Sequence, residues 1–284
     1  MKFLVLGATG MAGHTICLYL SENGHDVTGF DLKKSELVKS IAGNAKDEKL
    51  LRSIIDEGDF DYIINAIGLL NQTADKYKAD AVYLNSYLPH LLADITKDVK
   101  TSVIHMSTDC VFSGKDGKYT EKSLRDGETF YDRTKALGEL EDDKNITLRN
   151  SIIGPDINEN GIGLFNWFMK QEGNINGFSN VMWTGLTTLQ LAKTMEAAAQ
   201  NKAVGLYNMV YKENISKYNL LKLFNKYFRD NQINIVEKSD VVSNKTLVRT
   251  NFDFDYIIPD YETMISEMAQ WVQKHKELYP HYNL

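Results

Sequence analysis

The feature that most constrains the fold is a glycine pattern between a predicted strand and a predicted helix. The segment LVLGATGMAGH places Gly7, Gly10 and Gly13 after the apolar run KFLVL and before a helical pattern. Glycines permit a tight turn, and a helix N-terminus presents free N–H groups to phosphate. The G-x-x-G spacing of the first pair departs from the common fingerprint, but the strand, turn and helix context matches it. The pattern therefore predicts a dinucleotide-binding turn.

The charge at the end of the second predicted strand bears on the choice of dinucleotide. Asp31 lies where a carboxylate can accept hydrogen bonds from the adenosine ribose, and it would repel a 2′-phosphate. Lys33 and Lys34 follow directly and could neutralise such a phosphate, although they are equally typical of an ordinary helix start. The expected cofactor is NAD(H) or NADP(H), with NAD(H) favoured.

Strand-like apolar runs and helical patterns alternate over residues 1–155. Predicted strands cover 2–7, 25–31, 60–68, 101–107 and 145–154, with helices between them, one of which spans 81–97 and contains Pro89. Strands that alternate with helices indicate an α/β fold with a doubly wound parallel sheet. Beyond residue 155 predicted strands and helices no longer alternate regularly, so we predict a dinucleotide-binding domain over 1–155 and 186–210. A smaller, interleaved substrate-binding lobe would cover 156–185 and 211–284.

Composition excludes several classes of protein. The chain has 284 residues, 43% of them hydrophobic, which is enough for a large core, and its net charge of −6 argues against nucleic-acid binding. Two cysteines, Cys17 and Cys110, and six histidines show no metal-ligand spacing, so no metal is assigned. No apolar run approaches the ~18 residues of a membrane span and no signal peptide is apparent, so we expect a cytoplasmic protein.

Polar residues with catalytic potential follow the strand at 101–107. Ser107, Thr108 and Asp109 lie at its carboxyl end, where ligands bind in open α/β sheets. Further along, YDRTK places Tyr131 and Lys135 four residues apart in a predicted helix. Such a pair alone is most often a surface contact worth a few tenths of a kcal/mol.

The motifs together resemble those of the extended short-chain dehydrogenase/reductase family, and most of all its dTDP-4-dehydrorhamnose reductase group. The glycine pattern, NAIG, STDCVF and YDRTKALGE occur in the order and spacing of that group. The resemblance implies a Rossmann-type fold, an NAD(P)-dependent oxidoreductase activity and a nucleotide-sugar substrate.

The resemblance also implies a catalytic set. Tyr131 would donate a proton to a substrate carbonyl while nicotinamide supplies hydride, Lys135 would lower the tyrosine pKa, and Thr108 would orient the carbonyl. Shifting a tyrosine pKa by three units requires roughly 4 kcal/mol. An ammonium ~4 Å away contributes about that much at an effective dielectric near 20.

Other positions are carried over from the family as contacts. The implied cofactor-binding residues, beyond the glycines, Asp31, Tyr131 and Lys135, are Thr9, Met11, Asn44, Asn65, Ala66, Ile67, Gly68, Met106 and Ser151. Asn85 resembles a helix asparagine near the active site and could equally be a buried packing group.

Three departures from related motifs bear on the substrate. A glutamate after Thr108-Asp109, which 4,6-dehydratases carry, is replaced by Cys110, and this disfavours dehydration; a 4-epimerase stays possible in principle. Cys110 and Ile152 also stand where the rhamnose-type reductases carry tyrosine and tryptophan. We hypothesise that the vacated space admits a bulkier hexose such as a UDP-2-acetamido-2,6-dideoxy-4-hexulose, a precursor type for surface polysaccharides. If other side chains refill the space, dTDP-4-dehydrorhamnose stays the substrate.

The substrate diphosphate needs cationic or aromatic partners from the second lobe. Arg249 and Trp183 are favoured, and Asp109 and Cys110 would lie beside the sugar; Lys170, Lys245 and Trp167 are further candidates. A non-catalytic regulator, resembling the regulatory subunit of methionine adenosyltransferase, is the alternative from another class. A homodimer is a further possibility.

Overall fold

The structure is a computed structural model that describes residues 1–282, and its main feature is a parallel seven-stranded sheet. The strands are β1 (Lys2–Leu6), β2 (Asp26–Asp31), β3 (Lys39–Ala42), β4 (Tyr62–Asn65), β5 (Ser102–Ser107), β6 (Ile146–Arg149), β7 (Ser151–Ile153), β8 (Asn174–Phe178), β9 (Val181–Trp183), β10 (Gly185–Thr187), β11 (Gly205–Asn208), β12 (Ile215–Ser216), β13 (Asn234–Lys238) and β14 (Ser243–Asn244). The main sheet has the order β11-β6-β5-β4-β1-β2-β3.

That order reverses between β1 and β4, because the chain first builds outward through β2 and β3 and then returns to the other side of β1. In open α/β sheets, ligands bind beyond the carboxyl ends of the strands at such a reversal. The glycine turn after β1 and the polar ends of β4 and β5 therefore lie along one edge. The predicted doubly wound, Rossmann-type α/β fold is confirmed.

Helices cover both faces of the sheet. They are α1 (Met11–Glu22), α2 (Glu48–Gly58), α3 (Asn71–Lys76), α4 (Lys78–Ala81), a π-helical segment (Val82–Tyr87), α5 (Leu88–Ile95), α6 (Phe130–Leu137), α7 (Leu164–Met169), α8 (Thr188–Gln200), α9 (Lys217–Phe228) and α10 (Tyr261–Lys274).

Alternate residues of β1 supply the two sides of the core, as the two-residue repeat of a strand requires. Phe3 and Val5 pack with side chains of α1, α8 and α10, whereas Leu4 and Leu6 pack with those of α2 and α5. All four side chains are fully buried. This double burial explains why the strand is continuously apolar.

Two predicted elements differ in the structure. The single strand predicted over 145–154 is interrupted at Asn150, and its second half, β7, pairs with β10 outside the main sheet. The helix predicted over 81–97 contains the π-helical segment Val82–Tyr87, and Pro89 lies in the first turn of α5 directly after it. Proline lacks an N–H, so it is tolerated in a first turn and marks the change of helix type.

The second half of the chain adds to this core. β11 pairs with β6 in the main sheet, and α8 packs on α1, whereas β8, β9 and β12–β14 form two small sheets beside α9. One buried cluster runs from β1 to α10. The proposed division into two domains stays a prediction. None of the helices within residues 1–282 combines the length and the apolar character needed to cross a membrane.

Candidate active site

The glycine turn has the geometry of a phosphate cradle. Gly7 adopts a left-handed φ of +81°, and a Cβ there would lie 3.1 Å from the backbone of Ala66. A Cβ on Gly13 would lie 1.9 Å from the carbonyl oxygen of Gly7, so α1 begins in direct contact with the turn. Gly10 is the N-cap of α1 and has no side chain to occupy the first amides of the helix. The residues of this turn fit a dinucleotide pyrophosphate.

The carboxylate of Asp31 is held at the end of β2 by the turn itself. One oxygen accepts hydrogen bonds from the Thr9 backbone N–H at 3.0 Å and the Thr9 hydroxyl at 2.7 Å. The other accepts from the Leu32 N–H at 2.7 Å. These contacts fix the position of the carboxylate beside the turn, as expected for a ribose acceptor.

At the end of β5, the hydroxyl of Thr108 is engaged with its neighbours. It donates to an Asp109 carboxylate oxygen at 3.2 Å and accepts from the Cys110 N–H at 3.2 Å. Both Thr108 and Asp109 are buried, and burial raises the pKa of Asp109, while Lys217 and Lys245 lower it. A threonine hydroxyl has one proton, so Thr108 can donate to a ligand only when it no longer donates to Asp109.

Tyr131 is positioned by the start of α6. Thr129 and Asp132 form a capping box, in which the Thr129 hydroxyl accepts from the Asp132 N–H at 3.1 Å and the Asp132 carboxylate accepts from the Thr129 N–H at 3.2 Å. The tyrosine is 6% exposed and packs beside Ala74 and Ala81. The cap therefore fixes which way the phenol projects from the helix.

The predicted lowering of the Tyr131 pKa is wrong for this structure. Burial raises the pKa of the phenol, the nearby Cys110 acts in the same direction, and a polar contact with Thr108 opposes the rise. Lys135 is also buried, and its ammonium donates to the Met106 backbone carbonyl at 2.6 Å. Burial lowers the pKa of Lys135 to about 8, and the charge of Glu139 acts to raise it. Desolvation therefore outweighs the attraction that the spacing predicts.

A buried ion cluster around Glu139 contacts the strands next to the catalytic candidates. Glu139, directly beyond α6, accepts from the Ser107 hydroxyl at 2.5 Å and from Arg149 of β6 at 2.8 and 2.7 Å. Arg125 is its third partner. The side chains of Glu139 and Arg149 are both fully buried. Although burial acts to raise the pKa of Glu139, Arg149 lowers it below the ordinary value.

The predicted asparagines have separate roles. The side-chain amide of Asn65 is fully buried and bonded to His105 and to the Ile67 N–H, and its place beside the cofactor stays a prediction. Of the two alternatives for Asn85, the structure supports the buried packing group. Its side-chain amide accepts from the Leu69 N–H and donates to the Leu69 carbonyl. Asn44 is exposed at the end of β3, with its side chain bonded to the Lys46 N–H.

The remaining predicted cofactor positions lie along the same strand ends. Ala66, Ile67 and Gly68 directly follow β4 and are partly exposed, which suits a surface that contacts a ligand. Met11 opens α1, and Ser151 opens β7 and pairs with Gly185. Their roles as contacts stay predictions.

The two favoured second-lobe candidates for the diphosphate are occupied by other contacts. Each nitrogen of the Arg249 guanidinium donates to a backbone carbonyl, of Asn251, Tyr256 and Phe254, so three of its five N–H groups are engaged. The predicted phosphate contact stays a prediction. The Trp183 ring is 4% exposed and covered by Tyr261 and by the Lys217 ammonium, 5.3 Å from its centroid. The described part of the chain therefore leaves no open face of this ring for the stacking that the sequence predicts.

Sequence reasoning missed Lys217, the first residue of α9. Its charge and that of Lys245 act on Asp109, and Lys245 also lies 3.8 Å from the Asp132 carboxylate. A signal was present, because a lysine directly after an N-cap serine puts a cation at the positive end of a helix.

Within residues 1–282, no group of three His, Cys, Asp or Glu side chains is arranged to hold a metal ion. The parts of the candidate site are the glycine turn, the buried Tyr131 and Lys135, and the polar end of β5.

This combination defines the class of α/β dinucleotide-binding proteins to which the short-chain dehydrogenases/reductases belong. A family model described as RmlD substrate binding domain matches residues 1–246. The chain belongs to this family, and the predicted resemblance to the dTDP-4-dehydrorhamnose reductases is confirmed.

Individual relatives are more distant. The dTDP-4-dehydrorhamnose reductase of Burkholderia thailandensis is 32% identical over 142 residues, 49% of this chain and 45% of the relative. The chain thus spans about half the length of the curated relatives it matches.

Solved structures match over nearly the whole fold. The dTDP-4-dehydrorhamnose reductase of Bacillus anthracis, in complex with NADP, has a TM-score of 0.78 and 18% identity, with coverage of 94% of this chain and 98% of that one. The Bordetella bronchiseptica enzyme WbmG, in complex with NAD and UDP, has a TM-score of 0.76 and 16% identity, with coverage of 97% and 96%. At these identities the likeness shows the fold.

Proposed function

We propose that the protein is an NAD(P)H-dependent oxidoreductase that reduces the 4-keto group of a nucleotide-linked 6-deoxyhexulose. The observation that carries this proposal is the convergence of Thr108, Tyr131 and Lys135 on the end of β5, at the edge that also carries the glycine turn. The product would serve the synthesis of surface polysaccharide sugars.

In this mechanism the protein handles the proton. When bound, nicotinamide would supply hydride to the carbonyl carbon, and Tyr131 would donate its phenol proton to the carbonyl oxygen. Because burial raises the phenol pKa, the proton is retained until the oxygen gains negative charge. Thr108 turns from Asp109 to the same oxygen, and Lys135 offsets the phenolate that forms.

NAD(H) is the favoured cofactor within this proposal. Gly7, Gly10, Met11 and Gly13 would hold the pyrophosphate, and Asp31, fixed by Thr9, would accept from the ribose hydroxyls. A 2′-phosphate would meet this carboxylate, although Lys33 and Lys34 are both exposed and could offset the charge. NADP stays the alternative, and it is the ligand of one structural relative.

The sugar is proposed to carry a bulky C2 substituent such as an acetamido group. Of the two small replacements, Cys110 packs with Tyr131 at the site, whereas Ile152 packs against the main core. The volume argument therefore rests mainly on Cys110. Turnover of dTDP-4-dehydrorhamnose in preference to the acetamido sugar would contradict it.

The test is to follow NADH and NADPH absorbance with 4-keto-6-deoxy sugars on UDP and dTDP. We expect oxidation of the cofactor with a keto-sugar and loss of roughly 10²-fold or more in Tyr131→Phe, because the proton donor is removed. Cofactor affinity should stay close to that of wild type. Tyr77→Phe, which alters a half-exposed tyrosine, is the matched control and should be fully active.

A cofactor-binding regulator is the alternative from another class, since fold alone does not determine function. The intact Thr108, Tyr131 and Lys135 set favours the enzyme, because binding alone does not need a proton donor. Binding of cofactor with no oxidation by any keto-sugar would favour the regulator. The cytoplasmic location and the homodimer stay predictions.

A further inference from the structure

Lys217 stands in a place that is unfavourable for a lysine unless it binds an anion. It is the first residue of α9, where the helix dipole is positive and repels a cation. Its pKa is lowered to about 8 by burial, although the charges of Asp109 and Cys110 act to raise it. Within residues 1–282 no carboxylate forms a salt bridge with it.

The neighbours of Lys217 are also incompletely paired. Its ammonium lies 5.3 Å from the ring centroid of Trp183, and β12, which precedes α9, pairs with the strand that carries this tryptophan. The indole Nε1 of Trp183 is buried and has no hydrogen-bond partner in the described structure. A buried donor without a partner costs stability, so the tryptophan beneath the Lys217 ammonium is itself incompletely satisfied.

A second cation acts on the same Asp109 carboxylate. Lys245, just after β14, acts on Asp109 together with Lys217, and both lysines come from the second half of the chain. Asp109 directly follows Thr108 at the end of β5. An anionic group bound by these lysines would therefore lie close to the sugar that Thr108 and Tyr131 contact.

We propose that Lys217, supported by Lys245, forms the subsite for the diphosphate of the nucleotide sugar. This deepens the proposed function and rests on it for the identity of the substrate. Lys217 is favoured over Arg249 in that role, because each nitrogen of the arginine guanidinium already donates to a backbone carbonyl. The ammonium provides charge-assisted hydrogen bonds to phosphate oxygens.

The test measures binding of UDP, dTDP and inorganic pyrophosphate by calorimetry to wild type, Lys217→Gln and Lys217→Arg. We expect Lys217→Gln to weaken binding of the nucleoside diphosphates about tenfold, the loss of roughly one charge-assisted contact, and Lys217→Arg to restore most of it. NAD(H) affinity should not change. Lys222→Gln, on the exposed side of α9, is the matched control and should bind like wild type.

Thermal unfolding separates a binding role from a structural one. Because the cost of desolvating the Lys217 ammonium outweighs its attraction to Asp109, and the helix N-terminus repels it further, Lys217→Gln should melt at the same temperature as wild type or higher. A clearly lower melting temperature would mean that Lys217 serves the fold, and the proposal would be overturned.

Two other results would also overturn it. One is unchanged diphosphate affinity in Lys217→Gln, and the other is a loss of kcat with KM and UDP affinity unchanged, since Lys217 would then act on the reaction itself. The failure of the proposed function has a different signature: wild type would bind UDP or dTDP and oxidise no cofactor with any keto-sugar.

Discussion

Lys135 shows how burial tunes a single side chain. Its ammonium is enclosed, its hydrogen bond goes to the Met106 carbonyl, and its pKa is lowered to about 8. The charge of Glu139 acts in the opposite direction on the Lys135 pKa, but burial has the larger effect. His105, which precedes Met106 on β5, is kept neutral because burial holds its imidazole pKa well below the ordinary value. Burial therefore places the pKa of this lysine well below that of an ordinary lysine.

This titration predicts the pH dependence of the proposed reaction. The ammonium form is the one that stabilises a phenolate, so kcat/KM should fall as the pH rises through about 8. The pH profile of kcat/KM for wild type checks this, because it reports the free enzyme. In Lys135→Arg the guanidinium does not titrate in this range, so the residual activity should lack the break. A wild-type profile that stays flat to about pH 9.5 would contradict the assignment.

At the scale of elements, the ion cluster around Glu139 joins three parts of the site. It connects the end of β5 through Ser107, the end of α6 through its own backbone, and β6 through Arg149. Thr108 follows Ser107 directly, and Tyr131 and Lys135 lie on α6. A buried charge is costly when its partners are lost, so the cluster holds these elements in one arrangement.

Removing the central charge should destabilise the whole protein. We expect Glu139→Gln to lower the free energy of unfolding by about 3–5 kcal/mol, because it leaves the buried Arg149 guanidinium without its carboxylate. Urea unfolding followed by circular dichroism measures the change. Glu128→Gln, which breaks the exposed pair with Lys115, is the control and should change stability little.

If Glu139→Gln unfolds at the wild-type urea concentration, the cluster does not hold the site together. The same variant should also lose activity in its folded fraction, since Thr108 and α6 would no longer be fixed.

The elements show which parts of the fold were predictable. The strands β1, β4 and β5 contain apolar runs that are buried in the sheet, so local composition identifies them. β3 is partly exposed and has little apolar character, and the small sheets of the second lobe use two- to five-residue strands whose pairing is distant in sequence. Such strands carry no local signal.

The candidate site, like the fold, was predictable only as far as local sequence carries a signal. The spacing of Tyr131 and Lys135 correctly placed both on one helix, but it carried no information on burial, which reverses the expected shift of the tyrosine pKa. Arg249 matched the chemistry of a phosphate contact, yet its hydrogen bonds to nearby carbonyls depend on the path of the loop. Side-chain pairing of this kind appears only in three dimensions.

At the scale of the whole molecule, residues near the end of the described chain support the glycine turn. His14 of α1 bonds the Gly10 carbonyl through Nδ1 at 3.0 Å, so Nδ1 carries the proton and Nε2 accepts from the Tyr279 hydroxyl at 2.9 Å. Burial lowers the pKa of His14, which keeps the imidazole neutral. Tyr282 bonds the Asp156 N–H nearby at 2.8 Å.

This contact predicts that a residue far along the chain affects cofactor binding. Tyr279→Phe removes the 2.9 Å hydroxyl contact of the buried His14 Nε2 and leaves only the longer 3.4 Å contact with the Thr15 hydroxyl, so we expect a loss of about 1–3 kcal/mol in the free energy of unfolding. NAD(H) should bind a few-fold more weakly, because His14 also holds Gly10 at the N-cap of α1, where the pyrophosphate is proposed to lie. Urea unfolding and fluorescence titration measure the two effects, with Tyr77→Phe as the control. Reduced stability with unchanged cofactor affinity would show that the C-terminal contact supports the fold and leaves the turn unaffected.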